Sequence, residues 1–351
     1  MSGSAAATLA DARAACRAGW FEPVLLSVIG GGRINDTVLV RDARQRAFVL
    51  QRVSEQVFPE PARLMRQLAR ISEHLQQQAP GWMPELVRAR ASAPSIDHAG
   101  GHWRLWRYVA GEHLRSAGTE ALVAKRLAAA GFAFGRTQVL LENLPGERLQ
   151  PAIAHYHDLT WFLARFDEVA SAASDEWRRR VGEVRAMAET FGEADGYIHG
   201  DCKPDNLQFV TGTATVAAVL DLDTAMWANR ALDFGDLIRS SVWHNERYEH
   251  GYFVQLATGF VRAQQASAAP SALADLVAAP RYVSAMLSLR YLLDHLTGDR
   301  VFKTTARGDN LRRAERQHRR TLQLEAAARQ MNSTLRALND GARGAGFQAG
   351  S

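Results

Sequence analysis

His199-Gly200-Asp201-Cys202-Lys203-Pro204-Asp205-Asn206 runs straight into the apolar stretch Leu207–Val210. A second β-like run, Val216–Leu220, then ends on Asp221-Leu222-Asp223. Two short strands joined by a turn, with polar residues at both outer ends, are predicted to fold into a hairpin that brings Asp201, Asn206 and Asp221 to one edge. Asp, Asn, Pro and Gly are ordinary turn residues. What sets this stretch apart is the order H-x-D-x(4)-N with an acidic pair after the hairpin. Phosphoryl transfer needs this set: a carboxylate to orient a hydroxyl and take its proton, and an amide and a second carboxylate to hold metal on the phosphates.

The rest of the chain supplies a large body for such a site. With 351 residues and 47% hydrophobic content it exceeds one compact domain, so two lobes are expected. An Ala-rich first helix precedes Val24–Ile29, Gly30-Gly31-Gly32, Thr37–Val40 and Ala47–Val53, which read as strands around a glycine turn. Pro59 and Pro61 open a helix to about Gln78, with Leu64, Leu68, Ile71 and Leu75 at helical spacing. Met83–Ala89 and Trp103–Val109 are expected to complete an antiparallel sheet, with Gly100–Gly101 turning between them. Residues 1–110 therefore form a small α+β lobe. Residues 111–345 form a mostly helical one, with helices at Glu120–Ala130, Tyr156–Ala170, Arg178–Phe191, Asp233–Trp243, Tyr252–Gln265, Ser271–Ala279, Tyr282–Leu296 and Arg312–Asn339. The Gly- and Ala-rich tail from Asp340 is expected to fray.

Composition narrows the function classes. The formal charge of +5, from 42 Lys and Arg against 37 Asp and Glu, is small for a duplex-binding face and suits a cleft for a phosphorylated nucleotide. The arginines of Arg307–Arg329 read as the wet face of an amphipathic helix. Two cysteines, Cys16 and Cys202, give no disulfide framework and fit a reducing compartment. With no secretory leader and no long apolar run, a cytoplasmic protein is expected. His155 and His157, two apart and without further ligands, do not make a zinc site.

HGDCKPDN followed by VLDLD resembles the catalytic and metal loops of the aminoglycoside phosphotransferase superfamily, whose fold is that of the protein kinases. The resemblance implies a bilobal α+β fold, ATP and Mg²⁺ as cofactors, Asp201 as base, Lys203 near the γ-phosphate, and Asn206 and Asp221 as metal ligands, with Asp223 as an auxiliary. It also implies that His199, Asp233, Asp236 and Arg239 support the catalytic loop. Further blocks are similar to the N-acetylhexosamine 1-kinases: Gly30–Thr37, Phe48–Val53, Val57-Phe58-Pro59, Trp103–Val109, Asp233–Arg239 and Arg290–Asp299. On that resemblance the acceptor is a small sugar phosphorylated at its anomeric hydroxyl. An aminoglycoside, choline, homoserine or another amino alcohol is the alternative acceptor, and a non-catalytic nucleotide-binding regulator the alternative of another class.

The phosphates are expected under Gly30, Gly31, Gly32 and Arg33, since exposed glycine N–H groups cradle phosphate, although a tight hairpin would use the same residues. Asn35 either contacts ATP or caps the turn. Arg107 and Tyr108 are placed beside the adenine. His157, Asp158 and Arg165, next to Trp161 and Phe162, are candidates for substrate contact, while capping and core packing would explain the same residues. One departure stands out. Kinases carry a Lys on the third strand, paired with a Glu of the next helix, and this chain has Gln51-Arg52. Strand alternation lets only one of the two face the cleft; Arg52 could supply the charge, with Glu60 or Glu73 as partner.

Overall fold

A computed structural model describes residues 3–29, 34–116, 118–188 and 191–348. The glycine turn Gly30–Gly32 and Arg33, expected over the phosphates, lie outside the described residues.

The small lobe is a five-stranded antiparallel sheet in the order β1-β2-β3-β5-β4. Its strands are β1 (Leu25–Val28), β2 (Asp36–Arg41), β3 (Ala47–Val53), β4 (Ile96–His98) and β5 (Gly101–Arg107). Alternation gives the sheet two apolar faces. On the outer face Val38, Val40, Phe48, Leu50 and Leu105 pack under α1 (Gly3–Gly19), which contributes Ala12, Ala15 and Cys16. Burial pushes the Cys16 thiol up to about 12, so it behaves as a small apolar group. The inner face, with Val53 and Trp106, packs against Leu64, Met65, Leu68, Ile71 and Leu75 of α2 (Pro61–Gln78).

The expected strand Met83–Ala89 is not one. Residues 85–87 lie along the end of β5, bonded through Val87 N–H to Leu105 O at 2.8 Å and Arg107 N–H to Glu85 O at 2.9 Å. The edge beside residues 101–103 belongs to β4, which the sequence reading missed in a polar loop.

The larger part is helical: α3 (Glu120–Leu141), α4 (Leu159–Val169), α5 (Asp175–Ala188), α6 (Ala231–Ser241), α7 (His250–Gln264), α8 (Leu273–Leu296) and α9 (Asp309–Gln348). Short two-stranded pieces interrupt it: β6 (Gly196–Ile198) with β9 (Met226–Ala228), β7 (Leu207–Phe209) with β8 (Val216–Val219), and β10 (Trp243–His244) with β11 (Arg247–Tyr248). The helices α3 and α7 touch backbone to backbone. A Cβ on Gly131 would sit 2.0 Å from Leu256 O, and one on Gly259 1.9 Å from Ala128 O. The two helices expected at 271–279 and 282–296 are one, because α8 runs through Pro280, buried in the packing against α6 and α9; tertiary contacts override the local cost of proline. Likewise α9 continues to Gln348 through the Gly- and Ala-rich stretch expected to fray. Among the described residues no helix is long and apolar enough to cross a membrane.

Candidate active site

The β7–β8 hairpin forms as expected, with Leu207 opposite Val219. A short 3-10 turn over Pro204–Asn206 precedes it, and Leu220 N–H donates to Asn206 O at 2.8 Å, which joins the two polar ends.

The loop before the hairpin is held from below. Asp233, fully buried near the start of α6, accepts the N–H of His199 and of Gly200, each at 2.9 Å, and the Gln138 amide at 2.9 Å. The His199 imidazole bonds Leu220 O at 2.8 Å and stands edge-on to Phe134. Thr224 donates its hydroxyl to His199 O at 3.0 Å. Gly200 has φ +84° and lies so close to the loop after β8 that a Cβ would be 2.5 Å from Thr224 O. Only glycine meets both conditions without cost. Asp236 pairs with Arg239 at 2.8 Å through Nε, one turn along α6.

Asp201 emerges from this frame. Its carboxylate accepts from Lys203 Nζ and, at 2.9 Å, from Asn206 Nδ2, which also reaches Asp201 O at 2.8 Å. Burial alone would raise its pKa. The Lys203 ammonium outweighs burial by charge and hydrogen bond and holds the carboxyl below its ordinary range, so Asp201 stays ionised. The neighbouring Cys202 thiol is buried and pushed well up, first by burial and then by the Asp233 and Asp236 carboxylates, which makes it inert.

Asp221, just after the hairpin, adopts a left-handed conformation, φ 61° and ψ 57°, and is an exposed residue. Protein crowds the group on its other sides. Desolvation there, followed by the Asp223 and Asp201 charges, pushes its pKa up to about 6. The residues fit a divalent cation. Asn206 Oδ1 and the Asp221 carboxylate have no hydrogen-bond donor among the described residues, and the charge of Asp221, set close to those of Asp223 and Asp201, is what a cation would offset. No cluster of three His, Cys, Asp or Glu side chains suited to a metal occurs among the described residues, so phosphate and water oxygens would complete such a coordination shell.

Asp223 is differently employed. Its Oδ1 and Oδ2 accept from Arg104 Nη1 and Nη2 at 2.6 and 2.7 Å, and Asn35 Nδ2 adds a bond at 3.2 Å. With both oxygens taken and 4% exposure, it braces the loop that carries Asp221. Asn35 is used in the same way, its Oδ1 accepting Ser54 N–H at 3.0 Å.

Arg104 resolves the Gln51-Arg52 question. Gln51 stands opposite Arg104 in the β3–β5 register and shares its face, accepting from Arg104 Nε at 3.0 Å and Trp106 Nε1 at 3.1 Å. Arg52 points to the other face, where its guanidinium bonds Gly100 O at 2.9 Å, so it is not the replacement for a third-strand lysine. The buried cation on the cleft face comes from β5. Its carboxylate partner, Asp223, comes from the loop after β8 and not from α2, since Glu60 pairs with Arg63 and Glu73 with Arg88. Arg104 was missed, although an arginine inside the apolar strand Trp103-Arg104-Leu105-Trp106 already called for a buried partner.

The remaining candidates separate. Arg107 lies opposite Phe48 on the outer face, over that ring at 5.5 Å and bonded to Glu85 at 2.8 Å, away from the cleft. Tyr108 follows β5, with its N–H on Ala47 O at 3.1 Å and its ring 40% exposed. Asp158 caps α4, accepting Trp161 N–H at 2.9 Å, and also borders the groove beside His157, while Arg165 pairs with Glu168 over the Trp161 ring. His157 does reach the site, bonding Gly200 O at 2.8 Å through Nε2. Burial lowers its pKa, so the ring is neutral with Nε2 as donor, and its buried Nδ1 has no partner among the described residues. Tyr156 meets His157 edge-on at 4.5 Å and was not singled out by the sequence. An open groove of about 580 Å³ borders both residues, between the start of α2 and β9, lined further by Arg63, Phe191, Trp227 and Tyr282.

Residues 26–274 match the model of a family described as phosphotransferase enzymes. Solved structures share the fold at low identity. An aminoglycoside phosphotransferase from Alicyclobacillus acidocaldarius is 16% identical at a TM-score of 0.55, over 91% of this chain and 96% of that one. An amicoumacin kinase in complex with AMP-PNP and Ca²⁺ is 14% identical at 0.60, over 92% and 93%. An ethanolamine kinase of Plasmodium vivax is 12% identical at 0.53, over 84% and 80%.

Proposed function

Because this chain belongs to the phosphotransferase enzyme family, as a small-molecule phosphotransferase with a hydroxyl acceptor, we propose that it moves the γ-phosphate of ATP to a hydroxyl of a small sugar. The anomeric hydroxyl of an N-acetylhexosamine is the first acceptor to consider. The observation that carries the reading is Asp201: an ionised carboxylate, fixed by Lys203 and Asn206, opposite Asp221 in the cleft.

In this reading Asp201 orients the acceptor hydroxyl and takes its proton as the new P–O bond forms. Lys203 holds that carboxylate in place and brings positive charge toward the transferred phosphoryl group. Asn206 and Asp221 would hold Mg²⁺, which when bound neutralises charge on the phosphate oxygens. Asp233 and Gly200 keep the loop in one conformation, so catalysis draws on positioning. The lobe division near residue 110, the nucleotide beneath the β1–β2 turn and a cytoplasmic location belong to the same reading.

The amino-alcohol alternative is favoured by the names of structures that share the fold, an ethanolamine kinase among them. A cationic acceptor needs uncompensated carboxylates beside the base. Here Asp201 is paired with Lys203 and Asp236 with Arg239, and this favours a sugar. The test is ADP release from Mg-ATP with N-acetylglucosamine, N-acetylgalactosamine, simple hexoses, homoserine, choline and an aminoglycoside, against a water control. Release confined to sugars supports the reading. Release confined to amino alcohols transfers it to that class, and nucleotide binding without release to any acceptor favours the regulator.

A further inference from the structure

Arg290 of α8, half-buried, has an arrangement unlike that of the paired arginines of the helical part. Arg126 pairs with Glu112, Arg230 with Glu142 and Arg239 with Asp236. The Arg290 guanidinium has no carboxylate or carbonyl partner among the described residues. It is instead boxed by three rings: Tyr156 at 5.1 Å, Phe162 at 5.3 Å and Phe302 at 5.6 Å. Aromatic rings attract the cation through their π faces and take none of the strong hydrogen bonds its N–H donors can make. Those donors form a fork that matches two oxygens of a carboxylate or phosphate.

The box is built. Asp294, one turn after Arg290, accepts the N–H groups of Arg300, Val301 and Phe302 at 2.7, 2.8 and 2.9 Å and the Asn310 amide at 2.8 Å. This fixes the segment that carries Phe302. On the opposite side, Tyr156 leans on His157, which is tied to Gly200 O, one residue before the base. From the Arg290 guanidinium the contacts run over the Tyr156 ring at 5.1 Å to His157 at 4.5 Å and on to Gly200 O at 2.8 Å, next to Asp201 in the chain. Arg290 therefore stands on the acceptor side of Asp201. Of the charges nearby, Asp201 pairs with Lys203 and Asp236 with Arg239, Asp158 meets the His155 ring, and Arg313 adds a further cation over Tyr291.

We propose that Arg290 is a specificity-determining residue that binds an anionic group, carboxylate or phosphate, carried by the acceptor at a distance from its reacting hydroxyl. The acceptor class becomes sugar acids or phosphorylated sugars in preference to neutral hexoses. This rests on the kinase reading above, and its test separates the two.

The full chain with AMP-PNP and Mg²⁺ is titrated with matched probes, and thermal stabilisation is followed. The probes are glucose, glucuronate and glucose 6-phosphate, and N-acetylglucosamine with its 6-phosphate. An anionic member should act at a concentration about tenfold or more below its neutral partner, and carboxylate against phosphate shows which oxyanion the fork takes. Arg290→Gln should erase the difference and Arg290→Lys retain part of it. Equal action of neutral and anionic partners on the wild-type protein overturns the inference without any variant. So does a preference that persists in Arg290→Gln. Anion-selective stabilisation without ADP release when Mg-ATP replaces AMP-PNP with the same probes would keep the anion site and count against transfer. ADP release with no anion preference would do the reverse.

Discussion

Arg104 and Asp223 meet fork to fork, with N–H···O distances of 2.6 and 2.7 Å, across 119 residues of chain. The pair ties the sheet to the loop that carries Asp221, two residues away, and both side chains are almost fully buried. A buried charge that loses its partner is costly, whereas replacing both members by apolar groups is often neutral. Arg104→Met should therefore lower the unfolding free energy by about 3–5 kcal/mol, and Arg104→Met/Asp223→Leu should recover most of it. Chemical denaturation of the two variants checks this. Equal losses in both would show that the pair is not the source of the stability.

A lysine restored to the third strand should not help. Gln51→Lys would bring an ammonium against Arg104, now 3.0 Å from the Gln51 oxygen, and remove the acceptor used by Trp106. We expect a loss of about 1–3 kcal/mol and no tightening of Mg-ATP binding. Tighter binding by calorimetry would show that Gln51 stands where a phosphate-gripping lysine is wanted.

Asp201→Asn should keep metal–nucleotide binding and lower turnover by about 10²–10⁴-fold. Unchanged turnover would remove Asp201 as the base.

Gly200→Ala is expected to damage both the catalytic loop and the fold. Its φ of +84° and the 2.5 Å approach to Thr224 O leave no room for a Cβ, so a loss of about 1–3 kcal/mol is expected, with turnover falling further than stability alone explains. A variant of wild-type melting temperature and rate would mean that the close approach is dispensable.

His157 gives a pH signature. Its pKa is lowered by burial, from an ordinary 6.5, despite the bond to Gly200 O. The unfolded chain takes up a proton below that value and the folded chain does not, so the stabilisation is present above about pH 6.5 and is lost as pH falls toward the folded pKa, at up to about 1.4 kcal/mol per pH unit. His157→Gln, which retains an N–H donor for Gly200 O, should flatten the fall between pH 6.5 and 5. An identical slope in both proteins would assign the dependence to other groups.

The sequence alone determined the order of the chemistry. His199, Asp201, Asn206 and Asp221 lie within a short stretch whose hairpin is dictated by two apolar runs and a turn, so local pattern sufficed to bring them together. The amphipathic stripe of α2 and the strands β2 and β3 were legible for the same reason. Tertiary structure decided what depends on partners remote in sequence. It assigned Gln51 to the cleft face and Arg52 to the other. It also placed the buried cation on β5, closed Asp223 onto it, and left Arg165 and Arg107 in structural contacts. It carried α8 through Pro280 because packing against α6 and α9 outweighs a local break. It gathered Tyr156, Phe162 and Phe302 around Arg290, from three segments with no shared motif. A side chain's partner is set by which faces meet when the chain is compact, and spacing along the chain carries that information only within a turn or a hairpin.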